Sequence, residues 1–241
     1  MVFLAGFIDS VAGGGGLISL PAYIFAGLPI HMAYGTNKLS SCFGTTMAVV
    51  KYSKSGYIDW AAALTAGVGA LVGSWLGAKL TVILSPHVLS RCMLIILPLV
   101  AIFLLFKRDF GKTPSTISLS TRALPFVSAG IGLVIGAYDG FFGPGTGTFL
   151  VIAFTAVLGQ SLTTATGNAK VVNLCSNLAA LVAFIPAGKV IWMVGIPAAF
   201  CSMAGNYLGS HTAVKKGAAF IRPVILLSIG MLFVSIIKDY M

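Results

Sequence analysis

Residues 6–16 read GFIDSVAGGGG and residues 136–147 read GAYDGFFGPGTG, two versions of one pattern about 130 positions apart. In each, an aspartate (Asp9, Asp139) precedes a dense glycine run, and an apolar stretch then leads to a lysine (Lys38, Lys170). Downstream the register holds at an offset of 132. Gly56 matches Gly188, Trp60 matches Trp192, and GSWLG (73–77) matches GNYLG (205–209). An Asp, a glycine break and a Lys, duplicated within apolar sequence, are the parts expected of a transport pathway at the interface of two repeats.

Composition sets the class. Of 241 residues 58% are hydrophobic and 8% charged, and the mean hydropathy is +1.01. A soluble domain carries about 25% charged residues, so this chain lacks the polar surface to cover a water-facing core. The reading is an all-α, polytopic integral membrane protein. Glutamate is absent, and the acids are Asp9, Asp59, Asp109, Asp139 and Asp239. In a soluble protein a net charge of +10 would point to nucleic acid. Here the basic residues fall mostly in short loops, as the positive-inside rule expects, so no nucleic-acid partner is read. Cys42, Cys92, Cys175 and Cys201 lie in apolar segments without CxxC spacing, as small buried hydrophobes do, and indicate neither a disulfide nor a metal site. His31, His87 and His211 lack ligand spacing. Without HExxH, GxSxG or a placed Cys–His pair, the chain reads as no enzyme and as needing no cofactor.

Each half divides into five apolar elements: about 1–12, 17–28, 33–54, 60–79 and 90–106, then 122–139, 147–159, 163–186, 190–214 and 223–238. The expected organisation is a first membrane repeat (1–106), a linker loop (107–121) and a second repeat (122–241), with 8–10 membrane segments in all. A span needs about 20 residues. Elements 17–28 and 147–159 are short, as glycine-broken or re-entrant helices are. If they do not cross, each half has four spans and the halves run parallel; if they do, each has five and the halves are inverted. The five-span scheme divides the loop lysines and arginines nine to four and the four-span scheme eight to five, so charge bias leans to inverted halves. The lead-in before Asp9 is shorter than that before Asp139, which predicts an incomplete first helix.

A charge at the bilayer centre costs about 2.5–3.5 kcal/mol. Asp9, Lys38, Asp139 and Lys170 therefore require mutual pairing or a solvated pathway. The polar stripes around the lysines favour a pathway. His31, Tyr34, Lys38, Ser41 and Thr45 share one helical face, and Thr163, Thr166, Lys170, Asn173 and Asn177 repeat those positions. Interhelical hydrogen-bond glue is the plainer reading, but it would not call for a lysine at the same place twice. The half-helices after Gly16 and Gly147 point backbone N–H groups and a positive dipole end at the cavity. Two lysines with two such N-termini suit a small oxyanion. The aspartates are either salt partners of the lysines or proton acceptors. Trp60 and Trp192 read as interfacial anchors.

DSVAGGGGLISLP (9–21) followed by TNK (36–38), with GFFGPGTGTF (140–149) and TGNAKVVNLCSNLAAL (166–181), resembles the TauE/SafE, or sulfite exporter, family over essentially the whole chain. The resemblance implies a multi-pass transporter in the bacterial plasma membrane for sulfite, sulfonate or a related organosulfur anion. The expected mechanism is alternating access at the repeat interface. Lys38 and Lys170 would attract the anion, and the backbone at Gly15, Gly16, Gly145 and Gly147 would donate to it. Thr36, Asn37, Ser41, Asn168 and Asn173 complete the expected substrate set, with Asp9 and Asp139 as coupling or salt-bridge residues. The expected partners are the anion, protons and lipid, and the sequence leaves the oligomeric state open, a homodimer included. The alternatives are a passive anion channel and a subunit of a membrane complex.

Overall fold

The protein is described by a computed structural model covering residues 1–89, 91, 92, 95, 122–221, 223–225 and 227. The expected linker (107–121) lies outside the described residues, as do the elements 90–106 and 223–238 apart from those few positions. Among the described residues the chain is helical, without strands: α1 (Val2–Ala12), α2 (Gly16–Phe25), α3 (Ile30–Lys54), α4 (Trp60–Ile83), α5 (Leu124–Phe141), α6 (Thr146–Leu158), α7 (Leu162–Phe184) and α8 (Trp192–Lys216). By length and composition α4 and α5 are each sufficient to cross a membrane.

The glycine runs are reversals. Gly13 ends α1 with φ 75°, a left-handed conformation that side chains with a Cβ rarely adopt. A Cβ on Gly15 would lie 2.6 Å from the carbonyl of Ala5, ten residues earlier and roughly 15 Å away along a continuing helix. The chain has therefore turned back on itself. Beyond Gly143 and Gly145, both at positive φ, α6 likewise returns along α5, bringing the rings of Tyr138 and Phe149 within 5.3 Å edge to face. The short helices α2 and α6 begin at these turns.

The direction of each helix follows from its contacts. His31, at the start of α3, places Nε2 3.0 Å from the carbonyls of Thr81 and Leu84 at the far end of α4, and residues 55–59 join the other two ends, so α3 and α4 are antiparallel. Gly44 of α3 faces Ser202 of α8, and Thr36 bonds the start of α8, which makes α3 and α8 parallel. Gly205 and Gly209 of α8 follow Phe3 and Phe7 of α1, so α1 shares that direction. Gly69, Gly73 and Gly77 of α4 step along Ala129, Leu133 and Ala137 of α5, again in parallel. It follows that α1 and α5 run in opposite directions.

Packing crosses between the two parts of the sequence: α4 lies against α5 and α7, and α1 and α3 lie against α8. Small residues make this possible, because without water to expel, membrane helices gain by bringing backbones close. On α4 the buried face is Ala63, Ala66, Ala70, Gly73, Ser74 and Gly77, whereas Leu64, Val68, Val72, Trp75 and Leu76 point outward. Large apolar side chains outside and small ones inside suit a lipid surround and would be a liability in water. Trp60 and Trp192 start α4 and α8 about half exposed, the position of an interfacial ring. Cys42 is buried, but Cys201 is exposed on the outward surface of α8.

A Cβ at Gly136 would lie 2.6 Å from the Cα of Ala70. Gly136→Val is expected to destabilise the protein by about 3 kcal/mol or more, the cost of overpacking with backbone displacement. Val68→Leu, on the outward face, is expected to leave the thermal midpoint in detergent unchanged.

Candidate functional site

Lys38 of α3 and Lys170 of α7 are both buried, and each reaches an aspartate at the end of a broken helix. Lys38 Nζ donates to Asp139 Oδ2 at 2.7 Å, with both side chains at 5% exposure or less. Ser176 Oγ donates to the same carboxylate oxygen. Lys170 Nζ lies 3.1 Å from Asp9 Oδ2 and also donates to the Asp9 carbonyl, where a cation meets the negative end of α1. The two pairs therefore cross: the lysine from each glycine-motif copy is matched with the aspartate from the other. They are not equivalent. The Asp9 side chain keeps 17% exposure and Asp139 only 5%.

Carbonyls left over where a helix stops in a membrane need donors. Tyr52 OH donates to Ser10 O at 3.0 Å and Thr148 Oγ1 to Ala12 O at 2.8 Å at the end of α1. Thr81 Oγ1 donates to Phe141 O at 2.8 Å and Tyr138 OH to Pro144 O at 2.6 Å at the end of α5. The two reversals touch at Gly13 and Gly147, where a Cβ on either would overlap the backbone of the other.

Around these pairs lie two small cavities. One, of about 30 Å³, is lined by Asp9, Gly16, Asn37, Lys38, Asp139 and Asn173, with Gly13, Ser41, Gly143, Thr146 and Asn177 completing it. The first residues of α2 (Gly16) and α6 (Thr146) both border this space. The side chains of Ser41, Asn173 and Asn177 make no hydrogen bond with any described residue and are the polar groups left for a ligand. The second cavity, about 20 Å³, shares Asp9, Gly16, Asn37 and Ser41 and adds Gly15, Ser19, Ser40, Ser202 and Asn206.

The structure thus gathers Lys38, Gly15, Gly16, Asn37, Ser41, Asn173, Asp9 and Asp139 of the expected set around one polar centre. Lys170 is sealed behind Asp9. Gly145 caps α6 with φ 83°, and Gly147 is spent on the contact with Gly13. Thr36 and Asn168 are not at the cavities. Thr36 Oγ1 accepts from Ile191 N at 3.0 Å and Asn168 Oδ1 from Asp59 N at 2.8 Å, so each satisfies an amide at the start of α8 or α4. Gln160 closes that second network between Asn168 and Asp59. Sequence reasoning passed over Ser19, Ser40, Ser202 and Asn206. Comparing positions at the 132 offset would have found three of them, because Ser19, Ser40 and Ser202 stand opposite Val151, Val172 and Ala70, whereas Asn206 stands opposite the polar Ser74.

The family model described as Sulfite exporter TauE/SafE matches residues 1–237. The chain is 35% identical to the Probable membrane transporter protein ORF9 of Sinorhizobium, over 98% of this chain and 90% of that protein. It is 34% identical to the Probable membrane transporter protein YfcA of Escherichia coli K12, over 99% and 88%. A Probable membrane transporter protein of Haemophilus influenzae is 32% identical over 98% and 92%. No solved structure matches.

Removing one member of a buried ion pair strands the other. Lys38→Met is expected to cost about 3–5 kcal/mol, most of it recovered in Lys38→Met/Asp139→Leu. Lys170→Met is expected to cost less, since the Asp9 side chain keeps 17% exposure against 5% for Asp139 and is the more readily rehydrated. Denaturation of the three variants in detergent checks this order.

Proposed function

This chain belongs to the TauE/SafE family of membrane transporters, and from that premise we propose a multi-pass secondary carrier of a small anion in the bacterial plasma membrane. Sulfite, sulfonates and related organosulfur anions are its substrate class. The observation that carries the reading is the convergence of two lysine–aspartate pairs and the N-terminal ends of α2 and α6 on one closed centre with unpaired amides. A lysine beside two helix N-termini attracts an oxyanion, and amide N–H groups orient it.

The carrier is built from two homologous halves related by inversion. The shared offset of 132 for the starts of α3 and α7 and of α4 and α8 supports this, as do the opposed directions of α1 and α5. In such an arrangement α1–α2 and α5–α6 are re-entrant hairpins entering from opposite sides. A cavity of about 30 Å³ accommodates a water or two and no tetrahedral oxyanion, as in an occluded state. Loading therefore requires Lys38 or Lys170 to exchange its carboxylate for substrate, and a proton on the released aspartate compensates the charge. That exchange couples anion movement to protons. The contact of Gly13 with Gly147 closes the middle of the pathway and favours a carrier over an open channel.

Labelled sulfite flux into proteoliposomes tests this. Saturable uptake that a pH gradient drives uphill is the expected result. Downhill flux that no gradient can concentrate would leave the channel reading instead. Asn173→Ala, which removes a cavity group without an internal hydrogen bond, is expected to lower flux roughly tenfold with the thermal midpoint preserved.

A further inference from the structure

The smaller cavity lies between α1, α2, α3 and α8, and one of its lining residues, Asn206, holds a buried hydrogen-bond acceptor with nothing to accept from. Asn206 is 1% exposed, and its Oδ1 has no partner. Its orientation is fixed, because Nδ2 donates to the carbonyl of Ser202 at 3.0 Å and a carbonyl only accepts. The amide oxygen is therefore the free atom.

The other polar groups there are largely committed. Ser19 Oγ shares its one proton between Asn37 Oδ1 at 2.6 Å, the shorter contact, and Gly15 O at 3.1 Å; Ser40 donates to Asn37 O at 3.0 Å, and Tyr23 OH to Ser40 Oγ at 2.8 Å. With its oxygens occupied, Asn37 offers the cavity its amide N–H groups. Asp9 borders the same space with a carboxylate of which Oδ2 is held by Lys170. Donors (Asn37, the start of α2) thus stand beside acceptors (Asn206 Oδ1, Asp9). An anion without a proton satisfies the first set and is repelled by the second.

This pattern is confined to one half. At the 132 offset Asn37, Ser40 and Ser202 correspond to Ala169, Val172 and Ala70, all buried and apolar. Asn206 corresponds to Ser74, whose hydroxyl donates to Ser176 O at 2.7 Å. The packing of a half does not require an unpaired acceptor, so Asn206 answers to something else.

We infer that the cavity at Asn206, about 20 Å³ in this closed form and widened by the opening that loads the carrier, selects anions that bring their own donor. These are protonated oxyanions bearing X–OH, bound with the hydroxyl on Asn206 Oδ1 and the charged oxygens toward Asn37 and the start of α2. The inference rests on the anion-carrier reading and narrows its substrate class. An unprotonated anion of equal charge and shape leaves the buried acceptor unsatisfied and binds more weakly.

The test compares the monoanions of methylphosphonate and methanesulfonate, nearly isosteric and different in one O–H, by calorimetric titration of the detergent-purified protein at weakly acidic pH. Sulfite is titrated alongside. Methylphosphonate is expected to bind roughly tenfold tighter than methanesulfonate, and Asn206→Leu to bring the ratio to about one. Equal affinities for wild type overturn the inference, as does an unchanged ratio in a folded Asn206→Leu protein. Sulfite binding without methylphosphonate binding overturns it too. If no anion binds, sulfite included, the carrier reading falls with it. Should Asn206→Leu not fold, the wild-type comparison still decides.

Discussion

Two crossed lysine–aspartate pairs hold this fold, because they let charge exist where a bilayer would otherwise expel it. Each pair neutralises what would cost about 2.5–3.5 kcal/mol per unpaired ion. Each also ties a long helix, α3 or α7, to the end of a broken one, α5 or α1. Breaking α1 and α5 frees backbone carbonyls, and the groups that satisfy them (Lys170, Thr148, Tyr52, Thr81) come from other helices. The breaks, the polar stripes and the ion pairs are thus one arrangement.

Small-residue packing gives that arrangement its rigidity. α1, α3 and α8 run one way, α4, α5 and α7 the other, and each group draws helices from both parts of the sequence. The units most tightly packed are consequently not the sequence halves. A motion that opened the centre would shear one group against the other while α4 stayed bound to α5 and α1 to α8.

Much of this was legible before any coordinates. The doubled Asp–glycine–Lys pattern located the breaks within two residues, and the spacing of the two stripes put their faces inside. Which aspartate pairs with which lysine was not legible, since partners 101 and 161 residues apart leave no local trace. Thr36 and Asn168 were expected beside the anion because a polar residue in an apolar helix does not announce whether it faces a cavity or a neighbouring helix start. α4 runs past residue 79, where the sequence reading ended it, because Lys79 lays its ammonium 4.0 Å over the ring of Trp75 and so remains on the outward surface. The opposed directions of α1 and α5, open from charge counts alone, required the stepwise facing of Gly69, Gly73 and Gly77 with α5 and of Gly205 and Gly209 with α1.

The distance in sequence between Asp9 and Lys170 also bears on how the molecule is made. Asp9 leaves the ribosome 161 residues ahead of its partner, a lag on the order of ten to thirty seconds at ordinary synthesis rates. During that interval α1 has neither Lys170 for its carboxylate nor α8 for its glycine face. Asp9 must wait at the water interface, and α1 reaches its final place only after α7 and α8 have been made. Biogenesis therefore depends on a translocon or chaperone that tolerates a polar, unpartnered helix until α8 arrives.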